Sequence, residues 1–371
     1  MIAKHLRNYL LSSDRLYYLF NFFYRFPQKE YFANANLAKL RKGVNRRFHF
    51  KTYGDMNPEL PLYLIKIDDT FGFMAFYYYT AKLLAVADLF GFTPVIEWKS
   101  LSYQKDNPDI GGDNIFEYFF ETPCGISTAD AMQSRHVAIA EEYSHDIFPQ
   151  TEFGNYVPSN ERDALYARAV NKFLKLNAAT QSYISERISS ILEGKKTLGI
   201  HVRGGAYKEK VLHHPVAIEP EEHIAEAKKA ISAYGFERIF LATDEEEVVA
   251  KFKDAFGDMV VSYDDVSRAK PEDHMEAGLF ALRDRGLRLD NGYFTGLEVL
   301  TDVYTLAACQ GLIAGVSNVA VSAVYANGDQ YEYKQFIYKG TYGYDVPGGV
   351  SWKKTKANKQ LEKLMKSQKK K

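Results

Sequence analysis

Along most of the chain, stretches with the hydrophobic pattern of a strand alternate with stretches that have the pattern of a helix. In the first half, the apolar run Leu62–Ile67 predicts a strand, and Thr93–Trp98 predicts a second one. The segment Met74–Phe90 between them is long and apolar, and the glycine after it, Gly91, is a typical signal for the C-terminal end of a helix. Residues 99–160 show no long periodic element and contain turn signals. The pattern therefore predicts a strand, a helix and a strand, followed by irregular chain.

The second half of the chain repeats this alternation over a longer stretch. A helix predicted over Glu161–Leu192 leads into it and ends at Gly194. Strands are predicted at Thr197–Arg203, Arg238–Ala242, Met259–Tyr263 and Leu312–Val316. Helices are predicted at Pro220–Ala233, Glu245–Phe256, Glu298–Cys309 and from Val319 to Tyr325. We expect residues 264–295 to form a long loop that includes a helix.

Alternating strands and helices are typical of parallel sheets with helices on both faces. We therefore predict an α/β protein with two facing Rossmann-like domains, residues 56–193 and 194–345. A basic aromatic segment, residues 1–55, precedes them, and a lysine-rich tail, residues 346–371, follows. Because open α/β sheets bind ligands beyond the C-terminal ends of their strands, the polar residues just after each strand are the candidate site residues.

Charge is distributed unevenly along the chain. The 47 basic and 47 acidic residues balance, but residues 1–51 hold eleven Lys or Arg against two acids, and residues 353–371 hold nine Lys against one. Residues 52–352 keep 27 basic and 44 acidic residues, a net charge of −17. An acidic body argues against nucleic-acid binding, whereas basic ends suit an anionic surface. The two cysteines exclude a disulfide scaffold and fit a reducing compartment.

The N-terminal segment is basic and rich in aromatic residues. Asp14 and Arg15 interrupt its apolar run, and no small-residue cleavage site follows, so we expect no signal peptide. No apolar run reaches the length of about 18 residues that a membrane span needs. A helix ending before Pro27 fits two interpretations. It packs on the body of the protein, or it lies in a membrane interface with Arg and Lys at its rim.

The first candidate site residues are His201 and Arg203, at the end of a predicted buried strand. Their side chains share one face of the strand, and Gly204 and Gly205 after them allow close approach of a ligand. An arginine here can bind a phosphate with a charge-assisted fork. The alternative is a buried ion pair between Arg203 and a carboxylate, with His201 packed beside it.

Acidic and hydroxyl residues mark the next strand ends. Asp244 precedes a predicted helix at the spacing of a capping box with Glu247, so an N-cap is its simplest role. Asp302 lies beside the apolar stripe of a predicted helix and needs a donor nearby. Ser317 or Asn318 can cap the following helix, or that helix end can bind an anion.

The loop after the first strand carries a single glycine, Gly72, in place of a dinucleotide fingerprint. The three-glycine pattern is absent there, which counts against a dehydrogenase.

The order of all four candidate regions resembles that of the fucosyltransferase-like glycosyltransferases, which include core α1,6-fucosyltransferases, nodulation fucosyltransferases and protein O-fucosyltransferases. The matching stretches are NIFEYFFE, IHVRGGAYKEK, HHPVAIEPEEHI, RIFLATDEEE and LTDVYTLAACQGLIAGVSNVAVSA, within residues 62–327.

The resemblance implies a GT-B-like fold and inverting, metal-independent transfer of a sugar, usually fucose, from a nucleotide diphosphate. It implies that Arg203 holds the diphosphate, that His201 is its partner near the nucleotide, and that Ser317 contacts the phosphates. Gly204 and Asn318, next to these residues in the sequence, complete the candidate donor-binding set. Without a metal, an arginine and helix N-termini must stabilise the charge that grows on the leaving diphosphate.

Acidic residues and a glycine complete the implied donor site. The resemblance implies that the carboxylate of Asp302 accepts from the guanine N1 and N2 donors, which selects GDP. Asp244 matches the first acidic residue of the family's strand-end motif, and Glu245 stands where a second aspartate is common. Gly72 matches the glycine loop that approaches the phosphates.

The sequence departs from the family pattern beside Arg203. Many members have a second arginine and then an acidic residue, where this chain has Gly204 and Ala206. A catalytic base must reach the acceptor hydroxyl, and the nearby candidates are Glu209 first and His214 second. His213-His214-Pro215 also fits a plain surface turn. The departures leave the donor sugar, the acceptor and activity itself open.

We therefore expect a glycosyltransferase that uses GDP-fucose and no cofactor or metal. We expect its acceptor to be a bacterial surface glycan, and a lipid-linked acceptor would explain the basic ends. The enzyme would be cytoplasmic and peripheral on the inner face of the plasma membrane. The alternatives are the same fold with another GDP- or UDP-sugar, or a non-catalytic protein that binds a nucleotide sugar or glycan. Nucleic-acid binding through the tails is disfavoured by the acidic body.

Overall fold

The computed structural model describes residues 50–68, 72–107, 112–141, 160–204, 210–266, 268, 288–343 and 346–347. Residues 1–49 of the basic N-terminal segment and nearly all of the lysine-rich tail lie outside these residues, so the two interpretations of the N-terminal helix stay predictions. The strands are β1 Leu62–Asp68, β2 Thr93–Lys99, β3 Val137–Glu141, β4 Thr197–Val202, β5 Arg238–Thr243, β6 Val260–Val261, β7 Gly311–Gly315 and β8 Tyr333–Ile337.

The helices alternate with these strands. They are α1 Phe73–Phe90, α2 Thr128–Ala131, α3 Asn160–Phe173, α4 Ala178–Leu192, α5 Pro220–Tyr234, α6 Glu246–Phe256, α7 Asn291–Ala308 and α8 Asn318–Asn327. Three short 3₁₀ segments add Ile115–Tyr118, Pro123–Gly125 and Gly257–Met259. Helix α7 begins seven residues before its predicted start at Glu298, because buried Gly292 and Leu297 continue its packed face toward the N-terminus.

The strands form two separate sheets whose pairings are all parallel. The first has the order β2-β1-β3, with Leu62 paired to Thr93 on one side and to Val137 on the other. The second has the order β6-β5-β4-β7-β8, with His201 paired to Ala242 and Ala314. The predicted α/β class with two parallel sheets is confirmed. Strands β3 and β8, each five residues long, were not predicted.

The predicted helix 161–192 is in fact two helices. The break falls at Leu174–Asn177, where Leu176 bridges to Phe120 of the first sheet's cover. The side chain of Asn177 then accepts a 2.9 Å hydrogen bond from the amide of Thr180 and so caps α4. An N-cap asparagine supplies an acceptor for an otherwise unpaired amide, and this local bond restarts the helix in a new direction.

Helices α7 and α8 lie between the two sheets and pack against α1, α3 and α4. At its start, α7 also meets the loop that follows β2. The amide of Asp106 donates to Asp290 (2.8 Å), and the amide of Asp290 donates back to Asp106 (2.7 Å). A Cβ on Gly292 would lie 2.6 Å from the backbone oxygen of Ser102. Only glycine therefore permits this approach, and the two halves meet in close backbone contact.

Candidate functional site

The strand order of the second sheet locates the candidate site. With the strands numbered from β4, the order is that of a doubly wound sheet, and the chain reverses its direction of winding between β4 and β7. Ligands bind in the crevice at such a switch point, outside the C-terminal strand ends. His201 and Arg203 lie at the end of β4, and Ser317 follows β7. The structure therefore brings together residues that are 116 positions apart.

His201 and Ser317 contact each other directly. The Oγ of Ser317 lies 3.2 Å from Nδ1 of His201 and accepts a 3.1 Å hydrogen bond from the amide of Ala320. Ser317 is thus the N-cap of α8, as one of the two sequence interpretations proposed. The amides of Ala320 and Val321 bond back to Ser317. The first amides of a helix have no partner inside it, so those of Asn318 and Val319 are the donors this end offers.

Arg203 is held by Asp244. Its Nη1 donates to Oδ2 of Asp244, and the amide of Gly204 donates to the other carboxylate oxygen at 2.8 Å. The N-cap role predicted for Asp244 is wrong: Glu245 occupies the N-cap position of α6, with no side-chain capping bond. A guanidinium and an amide from the neighbouring strand hold the Asp244 carboxylate more strongly than the amides of its own helix.

Gly204 makes room for a neighbouring side chain. A Cβ at this position would lie 2.3 Å from Cδ and 2.4 Å from Oε1 of Glu245. The amide of Gly204 bonds to Asp244 and the side chain of Glu245 lies beside it, and the predicted close approach of a ligand to this backbone stays a prediction. Two carboxylates from the end of β5 thus reach across to the end of β4.

Three histidines surround this strand end. Burial lowers the pKa of His201 to about 3 and that of His214 to about 4, and the nearby charge of Arg203 acts in the same direction on both. Burial also lowers the pKa of His223, at the start of α5, whose Nδ1 lies 3.1 Å from the backbone oxygen of Glu219. All three imidazoles are therefore neutral near pH 7.

His214 is brought to the site by an antiparallel ribbon. The amide of His213 donates to Tyr342 (2.8 Å), and the amide of Tyr342 donates to His214 (3.0 Å). An isolated bridge joins Pro215 to Thr341. The segment is therefore a paired structure beyond the end of β8 and not a plain surface turn. The other predicted base, Glu209, lies outside the described residues.

Asp302 lies in a second polar region on the face of α7 toward α4. It is half-buried, and no hydrogen bond to its carboxylate is found among the described residues. Burial raises its pKa to about 7, although the positive charges of Arg268 and Arg187 act in the opposite direction. The sequence predicted a hydrogen-bond donor close to Asp302. The described residues instead place positive charge near its carboxylate.

Sequence reasoning missed the residues around Asp302. Arg187 on α4 binds both oxygens of Asp265, and its guanidinium lies 4.3 Å from the ring centre of Tyr263. The hydroxyl of Tyr263 lies 2.8 Å from Oγ1 of Thr305, one helical turn after Asp302. Arg268 donates to the backbone oxygen of Tyr263 at 2.8 Å. An arginine on a polar helix face gives no sequence signal. The tyrosine at the end of the predicted strand Met259–Tyr263 is a signal that could have indicated this region.

Gly72 begins α1 in the first half of the chain. Its backbone is extended, with φ −60° and ψ 144°, and nothing in the protein lies within 4 Å of a Cβ built there. The next amide, that of Phe73, donates to the hydroxyl of buried Tyr103 at 2.9 Å. Neither strain nor packing requires glycine at this position, so its predicted approach to a phosphate stays a prediction.

Two properties of the described residues concern metal binding and the membrane. Within it, no group of three or more His, Cys, Asp or Glu side chains has the arrangement of a metal site. Among the same residues, no helix combines the length and the apolar character that crossing a membrane requires. Metal independence and membrane docking both remain predictions.

Several solved structures resemble this one at low sequence identity. NodZ α-1,6-fucosyltransferase soaked with GDP-fucose aligns over 79% of this chain and 98% of its own, with 16% identity and a TM-score of 0.42. Fucosyltransferase NodZ from Bradyrhizobium aligns over 71% and 92%, with 16% identity and a TM-score of 0.40. POFUT1 in its apo form aligns over 76% and 99%, with 8% identity and a TM-score of 0.46.

Sequence comparisons add no closer relative. No protein-family model matches the chain, and the search of curated proteins returns no match.

Proposed function

We propose that the protein is a glycosyltransferase that binds GDP-fucose at the end of β4. The observation that carries this proposal is the pairing of two regions. One joins Arg203, His201 and the start of α8; the other presents the carboxylate of Asp302 without a hydrogen-bond partner among the described residues. The first region suits a diphosphate, and the second suits a nucleobase that has two adjacent N–H donors.

The diphosphate would lie between Arg203 and the start of α8. Arg203 supplies a fixed positive charge, because Asp244 holds its guanidinium from one side. The amides of Asn318 and Val319 and the helix dipole add partial positive charge. As the sugar–phosphate bond breaks, charge grows on the leaving diphosphate, and donors that are already oriented stabilise it without reorganisation.

The neutral imidazole of His201 would add one further hydrogen bond. Ser317 Oγ already accepts from Ala320, so its own proton can be donated to Nδ1 of His201. The imidazole then carries its proton on Nε2 and offers it as a donor. Ser317 would therefore act on the phosphate through His201 and the end of α8, as well as through any direct contact.

Asp302 would select guanine. An ionised carboxylate accepts two hydrogen bonds side by side, and guanine offers N1–H and N2–H₂ next to each other. Uracil has one N–H on that edge, and adenine pairs its amino group with an acceptor. Arg187 and Arg268 would favour the ionised carboxylate, since their charges oppose the effect of burial on its pKa.

Calorimetric titration tests this proposal. The purified protein is titrated with GDP, UDP, ADP and GMP in the presence of EDTA, and the titrations are repeated with Asp302→Ala and Arg203→Ala. Tight binding of GDP alone, weakened at least tenfold in both variants, is the expected result. Preference for UDP would overturn the guanine assignment, and dependence on added Mg²⁺ would overturn metal independence.

A non-catalytic role in nucleotide-sugar binding is the second candidate. Its supporting observation is that Asp244 and Glu245 add negative charge around Arg203, where the resembling enzymes carry a second arginine. Release of GDP from GDP-fucose by the wild-type protein, abolished by Arg203→Ala, would exclude this role.

The acceptor we propose is a lipid-linked glycan at a bacterial membrane. The basic ends of the sequence and its acidic body support attraction to anionic lipid. Co-sedimentation of the full chain with phosphatidylglycerol vesicles should weaken as salt rises. Equal co-sedimentation of a chain without residues 1–50 and the lysine tail would contradict this mode of docking.

A further inference from the structure

Arg268 comes shortly after β6 and is held by the backbone beyond the end of that strand. Its Nη2 donates to the backbone oxygen of Tyr263 at 2.8 Å. Tyr263 is tied to α7, because its hydroxyl lies 2.8 Å from Oγ1 of Thr305. Thr305 is three positions after Asp302 on this helix, and residues three apart on a helix are neighbours on its surface. These contacts bring Arg268 to the side of α7 that carries Asp302.

The guanidinium of Arg268 and the carboxylate of Asp302 are close to each other but do not pair. Burial raises the pKa of Asp302, and among the charges that act on its carboxyl group the largest effect comes from Arg268, which lowers it. Coulomb attraction weakens with distance, so this guanidinium is near the carboxylate. Yet no ion pair or hydrogen bond joins the two side chains among the described residues. The fold thus keeps a gap between a positive donor and a negative acceptor.

One hydrogen-bond donor of Arg268 is buried and unused. Its Nε is shielded from solvent and has no hydrogen-bond partner among the described residues. Burying an N–H group without an acceptor is unfavourable, and a guanidinium cannot avoid this by losing its proton. An acceptor atom of a ligand that reached Nε would satisfy this donor.

The second arginine near Asp302 is already engaged. Both terminal nitrogens of Arg187 bind the carboxylate oxygens of Asp265, and its guanidinium lies 4.3 Å from the ring centre of Tyr263. Asp265 thus balances the charge of Arg187. Because the Nε of Arg187 is also buried without a partner among the described residues, Arg187 is the alternative donor that an experiment must separate from Arg268.

The edge of guanine suits a carboxylate and an arginine that lie side by side. Its N1–H and N2–H₂ groups are donors, and the adjacent O6 is an acceptor. When Asp302 accepts from the two donors, O6 is left to face a donor of the protein. Adenine carries an amino group at position 6, which would bring a donor against a donor. An arginine beside Asp302 therefore favours guanine at the position next to the two that the carboxylate contacts.

We propose that Arg268 is a specificity-determining residue of the nucleotide site: its Nε–H donates a hydrogen bond to O6 of guanine, beside the two bonds that Asp302 accepts from N1 and N2. This assignment rests on the GDP binding proposed above and adds a second protein group to it. The guanine edge fills the gap between the two charged side chains, and the buried N–H of Arg268 gains its acceptor.

Calorimetry with altered nucleotides tests each contact separately. In 6-thio-GDP a sulfur atom, which is a weak acceptor, replaces O6, and inosine diphosphate lacks the 2-amino group of GDP. The wild-type protein should bind GDP about tenfold more tightly than either analogue, because each analogue leaves a buried polar group of the protein without its partner.

Variants assign the two preferences to residues. Arg268→Met should bind GDP and 6-thio-GDP with equal affinity but keep its preference for GDP over inosine diphosphate, and Asp302→Ala should show the reverse. Arg268→Gln also lacks the charge but carries an N–H₂ group near the position of Nε, so it should keep part of the preference for GDP over 6-thio-GDP. Both preferences should be unchanged in Arg187→Lys and in the control Lys253→Met, which removes an exposed positive charge from α6.

Three results would overturn the role of Arg268. Equal binding of GDP and 6-thio-GDP by the wild-type protein does so whether or not the variants fold. An unchanged preference for GDP over 6-thio-GDP in Arg268→Met does so as well. Loss of that preference in Arg187→Lys alone would assign the contact to Arg187 instead. If the wild-type protein does not bind GDP, or binds UDP more tightly, the proposed function itself fails.

Discussion

The ionisation of Asp302 makes a quantitative prediction about nucleotide affinity. Only the ionised carboxylate accepts from both guanine donors, and burial raises its pKa to about 7 in the free protein. Below that value the group must first lose a proton, so the apparent Kd for GDP should rise as the pH falls. For a single group with this pKa, the ionised fraction drops about tenfold from pH 8 to pH 6, which corresponds to about 1.4 kcal/mol.

Calorimetry at pH 6, 7 and 8 measures this dependence. Wild-type affinity should fall about tenfold over the range, and binding at pH 6 should release close to one proton, seen as a heat that varies with the ionisation enthalpy of the buffer. Asp302→Asn has no titratable group at this position, and its weaker affinity should lose this dependence. Because titration of the GDP phosphate is common to both proteins, it cancels in the comparison. The same pH dependence in Asp302→Asn and wild type would refute the reasoning.

Three further predictions concern stability. The pKa of His201 is lowered from 6.5 to about 3, so its contribution to stability is fully present above pH 6.5 and is lost as the pH falls. Between pH 6.5 and 4.5 the wild-type free energy of unfolding in urea should fall by about 2 kcal/mol more than that of His201→Asn, and parallel losses would contradict this. Gly204→Ala should lower the free energy of unfolding by roughly 1–3 kcal/mol, because the new Cβ would meet the side chain of Glu245. Adding Glu245→Ala should relieve this loss, and additive effects in a double-mutant cycle would show that the two side chains do not clash. Gly292→Ala should cost a similar roughly 1–3 kcal/mol, because backbone faces it, and an unchanged urea midpoint would count against that close contact.

Local sequence signals predicted the parts of the site that local structure determines. The run of apolar residues through β4, followed by two glycines, located His201 and Arg203 at a strand end. The turn after β7 located Ser317 as a cap. Both predictions depend on residues within a few positions of each other, which is the range over which hydrophobic period and capping preference act.

Contacts between distant elements were the part that sequence could not supply. Asp244 and Glu247 have capping-box spacing, but Arg203, 41 positions earlier, takes the Asp244 carboxylate. Likewise, Arg187 approaches Asp302 only because α4 packs on α7. Local propensity cannot anticipate a charged partner that arrives through the fold. The break before α4 was missed for a related reason, since an asparagine within a polar helix face resembles any other exposed residue.

The reciprocal bonds between Asp106 and Asp290 limit how the two halves of the described fold can move apart. They fasten the start of α7 to the loop after β2, while the end of α7 leads directly into β7 of the second sheet. Pulling the halves straight apart would break both bonds and the close approach at Gly292. A swing about the start of α7 would preserve them. This contact is therefore a natural pivot, and points far from it would travel farthest if the two halves separated.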